Sequence, residues 1–247
     1  MARVYLAYTP WGLDTLQRHK TDRAVNILIS FAFWEAFIEI KDTINIGKLI
    51  LDSGAFSVAH AGLTIDINKY IHVCKTSGAL EVFALDDMLS WRKSQENTLR
   101  MWDAGVPAIP VYHMEEPINY LNWCCKYAPL GKIALSSRIK TRPNWLLQHF
   151  GHIWKNFGPM KIHGFGMASK TATTLVPFDS VDASSWGTAS GRFGQFAGYT
   201  GTQVQLKSRM NKYRKLDLWV EVLEHMKRED YSEHVFRKEL AKLTNRV

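Results

Sequence analysis

The chain has 247 residues, of which 46% are hydrophobic and 22% are charged, a composition that supports a buried core and excludes a disordered or low-complexity polypeptide. Its apolar runs are far shorter than the roughly 20 residues that span a bilayer, and its N-terminal stretch lacks the layout of a signal peptide, so we expect a soluble, cytoplasmic protein without a membrane partner. The formal net charge of +8 favours a polyanionic partner such as nucleic acid.

Eight short apolar or β-branched runs recur along the chain at intervals of about 25 residues, the size of a βα unit. In chain order they are VYLAY (Val4–Tyr8), ILISF (Ile27–Phe31), LILD (Leu49–Asp52), VFALDD (Val82–Asp87), AIPVYH (Ala108–His113), KIALSS (Lys132–Ser137), KIHGFG (Lys161–Gly166) and FDSVDAS (Phe178–Ser184).

Helical patterns lie between these runs. In DINKYIHVCKTSG the apolar residues repeat at helical spacing, with Asp66 placed to cap the start and Gly78 to end the helix. Ser90 is placed to cap a second helix, which Gly105 ends, and PNWLLQHFGHIW begins a third with Pro143 in its first turn.

Eight strands with intervening helices in a chain of this length predict an α/β fold, a compact (β/α)8 TIM barrel. We assign the barrel to residues 1–200. Residues 201–247 contain a basic cluster, Lys207 to Lys215, that leads into an amphipathic pattern. We expect this C-terminal segment to be helical and to pack on the barrel within the same domain.

The three cysteines, Cys74, Cys124 and Cys125, form neither a CxxC pair nor a disulfide framework. This usage fits a reducing compartment and argues against a structural zinc. We therefore interpret them as structural residues and expect neither a metal nor a cofactor.

Polar residues stand at the ends of the predicted strands. Functional residues of a TIM barrel lie at the carboxyl ends of its strands, and the runs here end in Asp52, Asp86, His113, Ser136, Gly166 and Asp182. Each residue taken singly could instead cap a helix or close a turn. Three aspartates in this position at once favour a shared site at one mouth of the barrel.

Four of these segments resemble motifs of one enzyme family. LDSGAFS resembles the DSGGF or DSGGY motif of the tRNA-guanine transglycosylases, FALDD the strand that ends in their base-recognising aspartate, and HGFG their MGVG strand. DSVDASSWGTASGRFGQ resembles their DLFDCV segment with the SGRxGQ that follows it. The order and spacing agree over roughly residues 25 to 195. The compact chain is most similar to the phage-type branch, the 7-deazaguanine DNA transglycosylases.

The resemblance implies distinct roles for the aspartates. Base exchange without hydrolysis requires a covalent sugar intermediate, and Asp182 aligns with the family's nucleophile. Asp179 remains the rival, although the two would point to opposite faces of a strand. Asp52 becomes the general acid and base, and Asp86 receives the Watson–Crick edge of a guanine-like base. Asp87 is interpreted as a helix cap.

The resemblance also implies a set of base-binding residues. Phe56 and His163 occupy the positions of the two residues that stack on the faces of the purine. Ser53 and Gly54 would offer backbone N–H groups near the base, and the small residues Gly164 and Gly166 would allow the backbone to approach the ring. Core packing, a buried strand histidine and simple turn geometry are the alternatives for these positions.

This chain departs from the family in three respects. The zinc site of three cysteines and a histidine is absent, and the zinc-binding subdomain is expected to be absent with it. The glutamine after strand five is replaced by Tyr112 or His113. The glycine pair after strand six becomes Ser136 and Ser137. We therefore expect base recognition through His113, Ser136 and Ser137 to differ from that of the tRNA enzymes.

Basic residues cluster after two of the strands. Arg138, Lys140 and Arg142 follow strand six, and Arg192 follows strand eight. A phosphate backbone must lie at the mouth if a nucleotide is to reach Asp182, so we assign these four residues to backbone contact.

Together these features predict a transglycosylase that replaces guanine in DNA with a free 7-deazaguanine base similar to preQ0. The alternatives are a tRNA-guanine transglycosylase with a reduced scaffold, an N-glycoside hydrolase of small substrates, and a nucleic-acid-binding barrel without catalysis.

Overall fold

The computed structural model describes residues 2–8, 24–60, 64–139, 143–168, 170–184, 195–197 and 203–205. Within these ranges eight parallel strands follow one another along the chain: β1 (Arg3–Ala7), β2 (Val25–Ser30), β3 (Ile46–Asp52), β4 (Glu81–Val82), β5 (Val111–His113), β6 (Lys132–Ser136), β7 (Lys161–Gly164) and β8 (Ser180–Ala183). Each of the eight apolar runs overlaps one of these strands.

The strands form one curved sheet in the order β4-β3-β2-β1-β8-β7-β6-β5. A parallel bridge between Phe83 and Ile109 joins its two end strands. The amide of Ala84 donates to the carbonyl of Ile109, and the amide of Ile109 donates to the carbonyl of Val82. The sheet is therefore a (β/α)8 TIM barrel, as the alternation of apolar runs and helical patterns in the sequence predicts.

Helices lie between the strands and return the chain to the amino end of the barrel. They are α1 (Trp34–Ile38), α2 (Ala55–His60), α3 (Ile67–Thr76), α4 (Trp91–Asp103), α5 (Ile118–Tyr127), α6 (Pro143–Phe157) and α7 (Lys170–Leu175). The carboxylate of Asp66 accepts the amides of Asn68 and Lys69 at the start of α3, and the hydroxyl of Ser90 accepts the amide of Lys93 at the start of α4. Both predicted caps are confirmed.

Two apolar layers hold the barrel together. The larger lies between strands and helices, where Phe37, Met101 and Leu147 are buried against the outer face of the sheet. The smaller contains Tyr5, Leu28, Ile50, Phe83, Ile109, Val111 and Ala134, which come from neighbouring strands and fill the barrel interior.

A short antiparallel pair follows the barrel, formed by β9 (Gln195–Ala197) and β10 (Gln203–Gln205). The predicted boundary after residue 200 falls among residues outside the described ranges, so the division into residues 1–200 and 201–247 stays a prediction. The predicted helix of the C-terminal segment lies outside the described residues. No helix in the described part of the chain is long and apolar enough to cross a membrane.

Candidate active site

A cavity of ≈ 520 Å³ opens at the carboxyl ends of the barrel strands. Asp52 at the end of β3, Asp86 after β4 and Asp182 in β8 all line it. These residues are up to 130 positions apart in the chain, counted from 52 to 182. The fold therefore brings the three predicted carboxylates to one site.

Asp52 is held in the turn after β3. Its Oδ2 accepts the amide of Gly54 at 3.0 Å, an arrangement typical of an Asx turn. Burial, with the charges of Asp86 and Asp182 added to it, raises the pKa of Asp52 to about 7, and the amide of Gly54 only partly offsets this rise. Asp52 therefore exchanges a proton near neutral pH.

Both carboxylate oxygens of Asp86 are oriented by neighbouring side chains. The hydroxyl of Ser53 donates to Oδ1 at 2.9 Å, and Nε2 of His113 lies 2.9 Å from Oδ2. Each carboxylate oxygen can accept a second hydrogen bond. Asp86 is therefore a fixed, bidentate acceptor at the wall of the cavity.

Asp182 is 6% exposed. The amide of Gly166 donates to its Oδ1 at 2.9 Å, and Nε2 of His163 lies 3.3 Å from the same oxygen. No hydrogen bond to Oδ2 is formed by the described residues. Oδ2 is thus the oxygen of Asp182 that is available to a substrate.

Asp179 lies at the opposite end of the barrel. Its Oδ2 accepts Nζ of Lys132 at 2.7 Å. Burial opposes ionisation here, but the hydrogen bond and the charge of Lys132 outweigh it, and the pKa of Asp179 is lowered. Of the two rival aspartates, only Asp182 lines the cavity.

Aromatic rings form much of the cavity wall. Phe56 in α2 lines it and is 56% exposed, and its stacking role stays a prediction. Phe33, Phe165 and Tyr8 line it as well. The hydroxyl of Tyr8 has no hydrogen-bond partner among the described residues. A flat, partly apolar ligand with a polar edge fits such a wall.

The predicted stacking role of His163 is wrong. Its side chain is fully buried, and its ring packs against Phe83, Phe165 and Tyr5 with centroids 4.7, 4.8 and 6.3 Å away. A ring covered in this way has no face for a purine. Phe165, two residues later, is the aromatic residue from this segment that reaches the cavity.

Three predicted base-binding residues have other structural duties. Ser53 is buried and its hydroxyl donates to Asp86, while the backbone amides of Ser53 and Gly54, which were predicted to face the base, both hydrogen-bond to Asp52. Gly54 has φ +78°, and a Cβ there would meet the hydroxyl of Ser30. A Cβ on Gly164 would lie 2.6 Å from Cε1 of Phe178, so this glycine serves packing behind the site. Gly166 does line the cavity.

Ser137 and Arg138, directly after β6, form hydrogen bonds to an acidic loop that was not predicted from the sequence. Ser136 and Ser137 line the cavity, and the hydroxyl of Ser137 donates to Glu115. Arg138 donates to Oε1 of the buried Glu116 at 2.6 Å, so its guanidinium is engaged at the mouth. The adjacent glutamates of HMEE were the signal for this loop.

Glu116 also supports His113. The amide of His113 donates to Oε2 of Glu116 at 3.0 Å. Burial raises the pKa of Glu116, although this amide and the charges of His113 and Arg138 oppose the rise. Tyr112 points away from the cavity and donates to the backbone carbonyl of Glu116. Of Tyr112 and His113, only His113 lines the cavity.

The remaining predicted backbone contacts, Lys140, Arg142 and Arg192, lie outside the described residues. Within the described part of the chain, no group of three or more His, Cys, Asp or Glu side chains is arranged to hold a metal ion.

No protein-family model and no curated protein matches the sequence. Solved structures of the tryptophan synthase α-subunit from the hyperthermophile Pyrococcus furiosus are similar in fold. One mutant form has a TM-score of 0.55 at 15% identity, with 91% of this chain and 96% of that chain covered. A second has a TM-score of 0.56 at 16% identity, with 91% and 97% covered. At these identities the likeness shows the barrel fold alone.

Proposed function

We propose that this chain is a base-exchange glycosyltransferase that replaces guanine in DNA with a 7-deazaguanine through a covalent aspartyl–sugar intermediate. The observation that carries the proposal is the convergence of Asp52, Asp86 and Asp182 on one cavity with aromatic walls. A mere capping role for these residues would not bring three carboxylates to one site, where their mutual repulsion is costly.

The first half of the reaction removes guanine. Oδ2 of Asp182 attacks C1′ of the nucleotide, and the bond between C1′ and N9 breaks as an ester bond to Asp182 forms. Asp52, with its raised pKa, gives its proton to the departing purine. Guanine leaves neutral, and the negative charge moves from Asp182 to Asp52.

The second half reverses these steps with a different base. The anion of Asp52 takes the N9 proton of the incoming 7-deazaguanine, and N9 attacks C1′ from the face that guanine left. The ester breaks and Asp182 recovers its charge. Two displacements retain the configuration at C1′, as in retaining glycosidases.

Base selection is assigned to Asp86. Guanine and its 7-deaza analogues present N1–H and an exocyclic amine side by side, which a carboxylate accepts in a bidentate way. Adenine presents no such pair of donors. Phe56 and Phe165 supply ring surfaces for stacking, a contact worth about 1–3 kcal/mol per base.

A polynucleotide substrate is favoured by the charge of the chain and by the basic residues after β6 and β8. DNA is favoured over tRNA because the resemblance is greatest to the compact DNA-modifying branch. The target guanosine must leave the base stack to reach Asp182, at a cost of a few kcal/mol.

One assay separates the candidate functions. Duplex DNA, single-stranded DNA and tRNA, each with labelled guanine, are incubated with the protein and free preQ0, and the digested nucleosides are analysed by mass spectrometry. We expect label loss and deazaguanine incorporation in DNA. Exchange in tRNA alone would contradict the assignment of DNA as substrate. Label loss without incorporation would indicate an N-glycoside hydrolase. Binding without label loss would indicate a barrel that binds nucleic acid without catalysis.

A further inference from the structure

A line of polar side chains crosses the barrel interior behind Asp182. It begins at Lys132 in β6, passes through Ser180 in β8 and His163 in β7, and ends at Asp182. Lys132 is 1% exposed, and Ser180 and His163 are fully buried. Buried polar groups of this kind are costly unless each has a partner, so their arrangement calls for an explanation beyond packing.

The lysine end of the line carries the positive charge. Nζ of Lys132 donates to Oε2 of Glu81 at 2.7 Å, to Oδ2 of Asp179 at 2.7 Å and to Oγ of Ser180 at 3.0 Å. An ammonium group has three hydrogens and no lone pair. The contact with Ser180 therefore has a fixed direction, with Lys132 as donor and the hydroxyl oxygen as acceptor.

The hydroxyl of Ser180 also contacts the histidine. Oγ of Ser180 lies 2.8 Å from Nδ1 of His163. With its oxygen accepting from Lys132, the hydroxyl has its single hydrogen available for Nδ1. The hydroxyl has two lone pairs, so the lysine contact alone would let Nδ1 donate or accept. Nε2 decides between the tautomers, because it lies 3.3 Å from Oδ1 of Asp182 without a hydrogen bond to any described residue, and a proton is more favourable than a lone pair beside a carboxylate. The opposite tautomer would point a lone pair at a carboxylate oxygen.

Three aromatic rings hold the histidine in this orientation. Phe83, Phe165 and Tyr5 pack around it, and the carboxylate oxygen that it faces is the one already bound by the amide of Gly166. The amide of Gly166 therefore donates to Oδ1, and Nε2 of His163 lies beside the same oxygen without a hydrogen bond to any described residue, while Oδ2 is left toward the cavity.

We propose that His163 is a positioning residue, held as the Nε2–H tautomer by Ser180 and Lys132, that aims the carboxylate of Asp182 and directs Oδ2 at the substrate. The proposal rests on the proposed function for its effect on turnover, but its structural content, the tautomer, does not depend on any activity.

Two variants of matched length test the effect on turnover. His163→Gln keeps an N–H donor that reaches toward Asp182, whereas His163→Met fills a similar space without one. We expect His163→Met to lower kcat for exchange by up to about 100-fold with KM for DNA unchanged, and His163→Gln to recover most of that loss. Equal kcat values in the two variants, or a rise in KM with kcat intact, would overturn the proposal.

The tautomer is tested directly by 15N-edited NMR of the imidazole nitrogens in the unmodified protein, with the His163 signals assigned from their loss in His163→Gln. We expect protonated Nε2 and unprotonated Nδ1, and we expect Ser180→Ala to weaken that preference. A protonated Nδ1 in the unmodified protein would overturn the proposal even if exchange is observed. An absence of exchange with the expected tautomer would refute the proposed function and leave the arrangement of His163 established.

Discussion

At the scale of single residues, the three aspartates of the cavity differ in what surrounds each carboxylate. Asp52 has one amide donor and two like charges nearby, Asp86 has two side-chain partners, and Asp182 has both of its contacts on Oδ1. Two carboxylates whose surroundings differ in this way are typical of acid and nucleophile pairs. In the proposed reaction, the roles of acid and nucleophile are therefore assigned by environment, since the chemical groups are identical.

Replacing Asp182 by Asn should remove exchange. The amide keeps the shape of the side chain but lacks a nucleophilic oxygen anion, so we expect a loss of roughly 10⁴-fold or more and no covalent adduct with DNA on a denaturing gel. Asp179→Asn is the matched control, since it removes the other carboxylate of the same segment. It should retain exchange while losing about 1–3 kcal/mol of stability through its contact with Lys132. Exchange that survives in Asp182→Asn and disappears in Asp179→Asn would reverse the assignment.

The raised pKa of Asp52 predicts a pH dependence of guanine release. The first half-reaction requires the protonated acid, and the protonated fraction falls as pH rises through about 7. Single-turnover release of labelled guanine should therefore decline above neutral pH, by up to tenfold per pH unit. Asp52→Asn should release guanine slowly and without this decline. A flat profile in the unmodified protein would rule out Asp52 as the acid.

The same group predicts a pH dependence of stability. Between the ordinary aspartate value of 3.8 and about 7, the folded chain keeps the Asp52 proton that the unfolded chain has lost. The folded state binds more protons there, so Asp52 lowers stability as pH rises through this window, by at most about 1.4 kcal/mol per pH unit. Asp52→Asn should raise the melting temperature at pH 8 and leave it unchanged at pH 3.5. An equal shift at both pH values would indicate a packing effect.

The sequence predicts which residues line the cavity where this depends on their position at the end of a strand. Asp52 and Asp182 lie at the ends of β3 and β8 and reach the cavity for this reason, whereas Asp86 reaches it from the loop after β4. His163 and Phe165 show where that reasoning stops, because the side that each faces depends on where β7 ends. β7 ends at Gly164, so Phe165 stands on the turn that lines the cavity, while His163 remains within the barrel.

At the scale of elements, each predicted strand is present but several are shorter than predicted. The run Ala108–His113 contributes a strand only from Val111, because Pro110 has no N–H to offer a ladder. Val82–Asp87 contributes only its first residue to β4, and the remainder becomes the loop that carries Asp86. The apolar runs along the chain indicate that a strand exists, whereas the residues at which it begins and ends depend on pairing with strands that are distant in sequence.

Packing behind β7 predicts that Gly164→Ala is destabilising. The added Cβ would lie 2.6 Å from Cε1 of Phe178, and relief requires the ring to move within a packed core. We expect a loss of about 1–3 kcal/mol in chemical denaturation. The double variant Gly164→Ala with Phe178→Leu should lose less than the sum of the two single variants, since the smaller side chain makes room. Strict additivity would show that the contact with Phe178 is not the cause.

At the scale of the whole molecule, the barrel separates two kinds of polar cluster. The carboxyl ends of the strands carry the cavity, while the amino ends carry the Lys132 cluster with Glu81 and Asp179. This division is expected for a TIM barrel, in which one face serves function and the other serves stability. The net charge of +8 is a property of the whole chain, and its placement decides whether a polynucleotide is held at the functional face.

Salt dependence of DNA binding tests that placement. If four cations at the mouth neutralise phosphates, affinity should fall by roughly 100-fold between 50 and 200 mM salt, because each contact contributes a slope of about −0.9. Lys140→Gln with Arg142→Gln should reduce the slope by about 2, measured by fluorescence anisotropy on the inactive Asp182→Asn background. Lys126→Gln with Lys155→Gln is the matched control, since these exposed lysines lie in the last turns of α5 and α6 at the amino end of the barrel. An equal fall in slope for both pairs would mean that the DNA is attracted by net charge alone and is not held at the mouth.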